Sequence, residues 1–491
     1  MTPLGETQDD HYTSSMSIDT TTDTVQRHAP DWLVLTIACL AQFMVVLDVS
    51  IVNVALPSMQ RDLHFSLSSA QWVVNAYVLT FAGFLLLGGR AADIFGRRKV
   101  YLSGLLVFTL ASIGAGFAQN GSQIIAVRAL QGLGGAILSP ATLTIIVTTF
   151  RGARLPKAIG TWSAVAGAGG AVGGLLGGIL TGWASWRWVF FINVPIGIAA
   201  AVAATLYLQE IRNRDALVKL DVVGAVLVTA SLAALIYGVV NSTAHGWSSV
   251  GTQGWLVGGA AGLGVFVLWE ARAASHPLVP FRIFHSRSLT TANLVMLLVG
   301  GAFFAMWYFL TFYFQYILGY DPVRTGFAFL PAALSIIVGA QISSRILPII
   351  GARTLLLAGT ALATGGFVWL SRIAPHSSYF VHIFFPLVVC SFAMGLLFTP
   401  LATSATSGVD RADAGLASGV LNTSRQVGGS LALALLATVA ADRSAQFVAR
   451  TSHSALVGGY QRAFELSALI TLVALAVSFA LPRATGRRAV A

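Results

Sequence analysis

An aspartate lies deep within the first long apolar stretch of this chain, residues 32–54. Asp48 is about 24 Å from Trp32 along a helix that rises 1.5 Å per residue. A carboxylate at the centre of a bilayer costs about 2.5–3.5 kcal/mol, so it needs a partner or a function. The favoured charge state of such a carboxylate depends on its surroundings, since water or a basic partner favours the charged form and desolvation disfavours it.

A basic residue at a similar depth is the candidate partner for this carboxylate. In the fourth apolar stretch, 122–148, Arg128 lies about 9 Å below the outer face by the same helical rise. Asp48 lies in the outer half of a core about 30 Å thick, so the two depths are compatible with an ion pair. Two interpretations stay open: the pair has a function, or it permanently locks two helices together.

The fifth apolar stretch, 157–182, repeats glycine too regularly for an ordinary apolar helix. Six glycines carry the pattern: Gly160, Gly169, Gly173, Gly174, Gly177 and Gly178. On a helix, positions 169, 173 and 177 form one row (the first row), and positions 170, 174 and 178 form a second row beside it. This glycine strip lets a neighbouring backbone approach closely, although each glycine costs about 1 kcal/mol of helix propensity. Simple packing and a bending contact are both compatible with it.

The loop after the second apolar stretch combines glycine, acid and base. It reads Gly-Arg-Ala-Ala-Asp-Ile-Phe-Gly-Arg-Arg-Lys over 89–99, and its marked positions are Gly89, Asp93, Gly96, Arg97 and Arg98. A basic cluster beside a span often only fixes membrane orientation. An acid between two glycines, followed by a basic cluster, is a more specific pattern than membrane orientation alone requires.

Composition places these motifs in a membrane. The chain has 491 residues, of which 56% are hydrophobic and 10% charged, whereas a soluble domain carries about 25% charged residues. Apolar stretches of about 20 residues recur, and each is long enough to cross a bilayer. We expect about fourteen such spans. They are 32–54, 70–89, 100–119, 122–148, 157–182, 188–208, 221–240, 254–270, 289–314, 325–347, 353–371, 380–402, 414–440 and 463–482.

The distribution of charge sets the expected topology. The net charge is +11, but most basic residues fall in alternate inter-span segments, as the positive-inside rule requires. We therefore expect no nucleic-acid partner, both termini in the cytoplasm, segments 241–253 and 441–462 outside, and segment 403–413 inside. The sequence has no phosphate-binding Gly-Lys-Ser/Thr loop, metal-ligand cluster or nucleophile elbow, which argues against an ATP-driven pump or a membrane enzyme.

Together the motifs resemble those of the major facilitator superfamily. The loop at 89–99 is similar to its cytoplasmic signature loop, which implies that charges of the loop pair across the cytoplasmic mouth and separate when the mouth opens. The glycine strip is similar to the antiporter motif of its proton-coupled exporters, with Gly174 where that motif has proline. The stretches around Asp48 and Arg128 resemble motifs of fourteen-span drug:proton antiporters. Segments 71–77, 186–195 and 422–429 are also similar, so the resemblance runs from Trp32 to about Pro482.

This resemblance implies an all-α polytopic membrane protein with the major facilitator fold and about 14 transmembrane helices arranged as six, two and six. The expected division is a cytoplasmic tail (1–31), an amino-terminal six-helix half (32–208), an inserted helix pair with flanking loops (209–288), a carboxy-terminal six-helix half (289–482) and a cytoplasmic tail (483–491). No inter-span segment is long enough for a separate soluble domain.

The resemblance also implies roles for particular residues. It associates Asp48 and Arg128 with proton coupling, and it makes the first, fourth, ninth and twelfth spans the lining of a substrate cavity. The candidates for that cavity are Asn53, Gln131, Phe304, Trp307, Tyr308, Phe312 and Arg425. The four aromatic residues form one stripe of the ninth span, which either faces the cavity or packs against lipid and other helices. Arg425 either binds an acidic substrate group or has a structural role.

The expected function is therefore proton-coupled antiport that exports amphipathic small molecules, such as drugs or antibiotics, from the cytoplasm. We expect a functional monomer in the inner membrane, with no cofactor or metal, and with neutral or weakly acidic aromatic compounds preferred. One alternative is a dedicated exporter of an endogenous metabolite or siderophore. An alternative of another class is a non-transporting membrane sensor or enzyme.

Overall fold

The computed structural model of the chain describes residues 30–151, 154–210, 220–407, 409, 413–446 and 452–482. Within those ranges the chain is helical and contains no strand. The tails 1–29 and 483–491 lie outside the described residues, so the expected cytoplasmic tails stay predictions.

The helices follow the apolar stretches of the sequence. They are α1 Asp31–Asp62, α2 Leu67–Phe95, α3 Arg97–Gly116, α4 Gly121–Thr149, α5 Arg154–Trp183, α6 Trp188–Phe191, α7 Asn193–Tyr207, α8 Val222–His245, α9 Val250–Leu268, α10 Arg287–Phe312, α11 Pro322–Leu370, α12 Phe385–Thr406, α13 Ala414–Ala445 and α14 Ser452–Ser478. Short π-helical turns continue α9 (Trp269–Ala273) and α10 (Tyr313–Ile317), and another, Tyr379–Phe384, precedes α12.

Among the described residues, 11 helical segments are long and apolar enough to cross a bilayer. The 49-residue helix α11 contains a break at Gly351, whose φ of 79° and ψ of 160° are not helical, so it corresponds to the tenth and eleventh expected spans. Helices α5 and α13 cover the fifth and thirteenth expected spans. The all-helical class is confirmed, while the number of fourteen crossings stays a prediction.

Close helix contacts at glycine build the bundle of α1–α7, which we call the amino-terminal bundle. Gly132 of α4 lies against the backbone of Tyr77 in α2, and Gly134 lies against the backbone of Phe108 in α3. A Cβ atom added at Gly134 would come within 2.6 Å of the Phe108 nitrogen. Small residues therefore let α4 pack tightly between α2 and α3, as in other membrane bundles.

Helices α10–α14 form a second group, the carboxy-terminal bundle, which meets the first bundle mainly through two helix pairs, α5 with α11 and α2 with α13. The inserted pair α8–α9 lies beside this junction. Buried Ile236 of α8 shares a hydrophobic cluster with Leu79 of α2 and Ala434 of α13. The inserted pair thus packs against both bundles. Segment 441–462 was expected to be a polar connection between two spans. In the structure its second half is helical, because α14 begins at Ser452.

Candidate functional site

The predicted ion pair forms in the interior of the amino-terminal bundle. Nη1 of Arg128 in α4 lies 2.5 Å from Oδ2 of Asp48 in α1. Asp48 is completely buried and Arg128 is 1% exposed. The depth argument from helical rise is therefore confirmed for the contact itself, whereas its role in transport is a separate question.

The second carboxylate oxygen of Asp48 is held by two amides. Gln131 Nε2 donates to Oδ1 at 2.7 Å, and Asn193 Nδ2 at the start of α7 donates to the same oxygen at 3.0 Å. The hydroxyl of Ser112 in α3 accepts a hydrogen bond from Gln131 at 2.8 Å. Side chains from four helices thus form one polar network around this carboxylate. We call its five members the Asp48 network: Asp48, Ser112, Arg128, Gln131 and Asn193.

Arg128 is equally well enclosed. Its Nε donates to the carbonyl of Val73 at 3.1 Å, and its Nη1 donates to Oε1 of Gln131 at 2.7 Å. Its guanidinium carbon lies 4.3 Å from the centre of the Tyr77 ring, a cation–π arrangement. A buried ion pair is tolerated when its remaining donors and acceptors are satisfied, because desolvation otherwise exceeds the Coulomb attraction.

Two members of this network were not predicted from sequence. Asn193 and Ser112 are completely buried and lie on helices that the sequence analysis did not connect with Asp48. The sequence feature that could have identified them is the presence of a polar asparagine and a polar serine within apolar spans. Gln131 was predicted to line the substrate cavity, but its side chain is completely buried in the Asp48 network. Asn53 is half-buried and donates to the carbonyl of Val49 in its own helix at 3.0 Å.

The first row of the glycine strip packs against α1, the helix that carries Asp48. A Cβ atom at Gly173 would lie 2.6 Å from Cβ of Ser50, and one at Gly177 would lie 2.7 Å from the carbonyl oxygen of Ile51. The hydroxyl of Ser50 donates to the carbonyl of Gly170 at 2.7 Å. Backbone and short side chains of α1 therefore touch α5 directly on both sides of Asp48.

The second row faces the carboxy-terminal bundle. Gly178 lies directly against the carbonyl oxygen of Pro322, the first residue of α11. A Cβ atom at Gly326 of α11 would lie 2.8 Å from the carbonyl oxygen of Gly174. Gly160, the first glycine of the pattern, has no atom within 4 Å of a built Cβ among the described residues. The strip is thus a two-sided contact between residues 169 and 178, and Gly160 lies outside it.

The signature loop is anchored mainly within its own bundle. Gly96 ends α2 with a φ of 97°, a conformation that favours glycine. Nη2 of Arg98 donates to the carbonyl of Thr205 near the end of α7 at 2.6 Å. Arg97 and Arg98 line the same surface pocket as Asp31. The side chain of Asp93 lies outside the described residues, and Gly89 is in ordinary contact with Pro140, 3.6 Å from its built Cβ.

One basic residue of this loop reaches beyond the bundle. Arg90 donates from Nη1 to the carbonyl of His276 at 2.6 Å and also to the carbonyl of Pro277. These carbonyls belong to the segment between the inserted pair and α10. Pairing of the loop's charges across the cytoplasmic mouth stays a prediction.

The aromatic stripe of α10 divides into two parts. Tyr308 and Phe312 are buried in aromatic packing, with their ring centres 4.8 Å apart. Trp307 is half-buried, and its ring lies 4.8 Å from that of Phe329 in α11. Phe304 is half-buried against Gly429 of α13, 3.3 Å from a Cβ built there. The packing interpretation holds for the first two residues in this conformation.

Comparisons with known proteins agree with this architecture. A profile of the Major Facilitator Superfamily matches residues 38–433. The chain belongs to the Major Facilitator Superfamily.

Two relatives and two solved structures are similar over most of the chain. The cephamycin export protein of Amycolatopsis lactamdurans is 45% identical over 408 residues, 82% of this chain and 84% of that protein. The puromycin resistance protein of Streptomyces alboniger is 39% identical over 435 residues, 87% of this chain and 86% of that protein. A bacterial homologue of the human lysosomal transporter Spinster has a TM-score of 0.62 at 16% identity and covers 91% of this chain and 96% of that chain. A POT family transporter in complex with a thioalcohol conjugated peptide has a TM-score of 0.65 at 13% identity, with 91% of this chain and 96% of that chain covered. At these identities the structures show the fold alone.

Proposed function

We propose that this protein is a proton-coupled antiporter that exports amphipathic small molecules from the cytoplasm. The observation that carries the proposal is the position of Asp48. Its buried carboxylate is the centre of a four-helix polar network, and the helix that bears it packs against the glycine strip.

Protonation of Asp48 would remove the charge that Arg128 now neutralises. When the buried, ion-paired carboxylate takes up a proton, it becomes neutral and leaves the positive charge of its partner without a counter-charge. Helix α1 then loses its ion pair with α4, which weakens the hold of α4 on α1 and favours a shift along the first glycine row. Such a shift is cheap there because smooth glycine surfaces present no interlocking side chains.

Movement of α1 would reach the second bundle by two routes. Helix α5 touches α1 with one glycine row and α11 with the other. In addition, Nε2 of Gln315, just after α10, donates to the carbonyl of Val54 in α1 at 2.8 Å. Both contacts lie toward the predicted outer end of α1. A proton at Asp48 would therefore change how the two bundles meet on that side, as alternating access requires.

The substrate class is supported by the relatives. Proteins named for cephamycin export and for puromycin resistance share most of their length with this chain. We propose drugs or antibiotics as its substrates, with a dedicated exporter of an endogenous metabolite as the second candidate. A transporter of this superfamily has no need of an enzymatic activity, and we propose none.

We further propose that the protein acts as a monomer in the inner membrane with both termini in the cytoplasm. The charge asymmetry of the inter-span segments supports this orientation.

The test is substrate-dependent proton flux in proteoliposomes that contain wild-type or Asp48→Asn protein. We expect the Asn variant to lose proton-driven efflux while retaining membrane insertion. Asp31→Asn is the matched control, because Asp31 starts the same helix and forms an exposed ion pair with Arg154 at 2.8 Å. Exposed pairs contribute about 0–1 kcal/mol, so this control should transport normally.

Loss of folding must be separated from loss of coupling. Removing one partner of a buried ion pair costs about 3–5 kcal/mol because the other charge is left unpaired. The double variant Asp48→Asn/Arg128→Gln removes both charges and should recover yield without recovering coupling. Normal pH-gradient-driven efflux by either Asp48 variant would refute the proposal.

A further inference from the structure

A second arginine lies within the helices, in the carboxy-terminal bundle. Arg425 is about 16 Å along α13 from its first residue, Ala414, near the middle of the membrane by helical rise. Its Nε is buried and makes no hydrogen bond with any described residue. An unpaired guanidinium at this depth is costly, so it requires a partner or a function.

The acidic side chains that the structure describes in and beside this bundle have other partners, and Asp442 accepts a hydrogen bond from Nε1 of Trp247 at 3.4 Å. Asp413 pairs with Arg282 at 3.1 Å, and Glu465 pairs with Arg462 at 2.9 Å, both on exposed arginines. Asp321 caps α11 by accepting a hydrogen bond from the nitrogen of Arg324. No ion pair to Arg425 occurs among the described residues, in contrast to Arg128 with its dedicated carboxylate.

The surroundings of Arg425 are aromatic and glycine-rich. Gly300 of α10 makes room for its stem, since a Cβ there would lie 3.2 Å from Cγ of Arg425. Its guanidinium carbon is 5.9 Å from the centre of the Phe398 ring in α12. One helical turn further along α13, Gly429 receives the ring of Phe304.

The aromatic surface continues away from the charge. Phe304 and Trp307 lie one turn apart on α10 and are both half-buried. The Trp307 ring contacts Phe329, whose Cβ lies 3.9 Å from a Cβ built at Gly174 in the glycine strip. The Arg425 guanidinium therefore lies at one end of an aromatic surface that runs through Phe304, Trp307 and Phe329 to the amino-terminal bundle.

We propose that Arg425 is the subsite for a negatively charged group, a carboxylate or sulfonate, on an exported aromatic substrate. The inference rests on the proposed export function and specifies its substrate class. The planar guanidinium offers several donors in a fork that matches such oxyanions, and a bound anion supplies the missing counter-charge. Phe304 and Trp307 then contact the apolar body of the substrate, while Asp48 and Arg128 remain occupied with each other.

The test uses two probes that differ in charge but hardly in shape, dansyl sulfonate and neutral dansylamide. Equilibrium binding to full-length protein in nanodiscs is followed by dansyl fluorescence without any proton gradient, and export is measured separately in proteoliposomes. We expect the wild type to bind the sulfonate more tightly. Arg425→Gln should weaken sulfonate binding by about tenfold or more and leave dansylamide binding unchanged within about twofold.

Two further variants complete the design. Arg425→Lys keeps the charge but loses the fork, so its sulfonate affinity should be intermediate. Arg345→Gln removes an exposed arginine from the same bundle and should bind both probes like the wild type.

Equal binding of the two probes by the wild type, including no binding of either, would overturn the inference. An equal loss of both probes in Arg425→Gln would also overturn it, because a merely structural arginine affects binding regardless of ligand charge. If the binding preference depends on Arg425 but no proton-driven export occurs, the subsite stands and the proposed function fails. If export of dansylamide is proton-driven but no preference for the sulfonate exists, the proposed function stands and the subsite fails.

Discussion

Nδ2 of Asn193 donates a hydrogen bond to Oδ1 of Asp48 at 3.0 Å, which ties the first turn of α7 to the middle of α1. The two residues are 145 positions apart, and both are completely buried. Nδ2 of Asn193 also donates to the hydroxyl oxygen of Ser112 at 3.4 Å, and this oxygen accepts a second hydrogen bond from Gln131. The carboxylate is therefore oriented from several sides, and the arginine is only one of its partners.

Asn193→Ala is expected to impair proton-driven efflux. A hydrogen bond to a charged group contributes about 1.5–3 kcal/mol, so its loss should slow transport by about tenfold or more. Initial rates of efflux in proteoliposomes measure the effect. Asn241→Ala is the matched control, because Asn241 donates to Thr252 at 3.2 Å within the inserted pair, away from Asp48. Full activity of Asn193→Ala would show that Arg128 and Gln131 suffice to position the carboxylate.

Leucine substitutions in the two glycine rows should impair transport, whereas the same substitution at Gly160 should not. Gly173→Leu or Gly177→Leu would push α1 away from α5, and Gly178→Leu would push α11 away from the same helix. We expect inserted protein with little transport in all three cases. Gly160→Leu should remain active, since a Cβ there meets open space among the described residues.

Surface expression shows whether each glycine variant is inserted in the membrane, and efflux measured on the same cells shows whether it transports. Cross-linking of cysteine pairs between α1 and α5, and between α5 and α11, distinguishes the two contacts. Active Leu variants at Gly173 and Gly178 would mean that neither contact matters for transport.

Trp307 and Tyr308 are expected to differ although they are adjacent. Trp307 is half-buried, so Trp307→Ala should change which substrates are exported. Tyr308 is 5% exposed, so Tyr308→Ala should leave a cavity and lower the amount of folded protein. Large-to-small changes of this kind cost about 3–5 kcal/mol for aromatic residues. Thermal stability and a resistance profile over a compound panel separate the two effects, with exposed Trp183→Ala as the control. Identical substrate profiles for Trp307→Ala and the wild type would contradict the assignment.

Membrane orientation is testable by single-cysteine labelling. Ser248 is exposed in the segment between α8 and α9, and Ser407 is exposed at the end of α12. An impermeant thiol reagent added to sealed cells should label Ser248→Cys and not Ser407→Cys. Ser404, in the same predicted inner segment, is 2% exposed and therefore unsuitable as a probe. Labelling at Ser407→Cys alone would reverse the proposed orientation.

The positions of the helices and the membrane depth of Asp48 and Arg128 could be predicted from the amino-acid sequence. Long apolar stretches in a chain of low charge leave helices as the way to satisfy backbone hydrogen bonds in a bilayer, so the helices appear where hydropathy predicts them. The fixed rise per residue places Asp48 and Arg128 at similar depths before any tertiary contact is known. The glycine spacing likewise predicted a smooth strip, because rows four residues apart share one face of a helix.

Which surfaces these features meet depends on how the helices pack in three dimensions. Asn193 and Ser112 join Asp48 because α3 and α7 pack beside α1 and α4, and sequence gives no rotation of one helix about another. The same reason explains why one glycine row faces α1 and the other α11, and why Tyr308 is buried while Trp307 is half-buried. Helical rise fixes depth from local geometry alone, whereas the direction in which a side chain points into the bundle depends on packing against neighbouring helices.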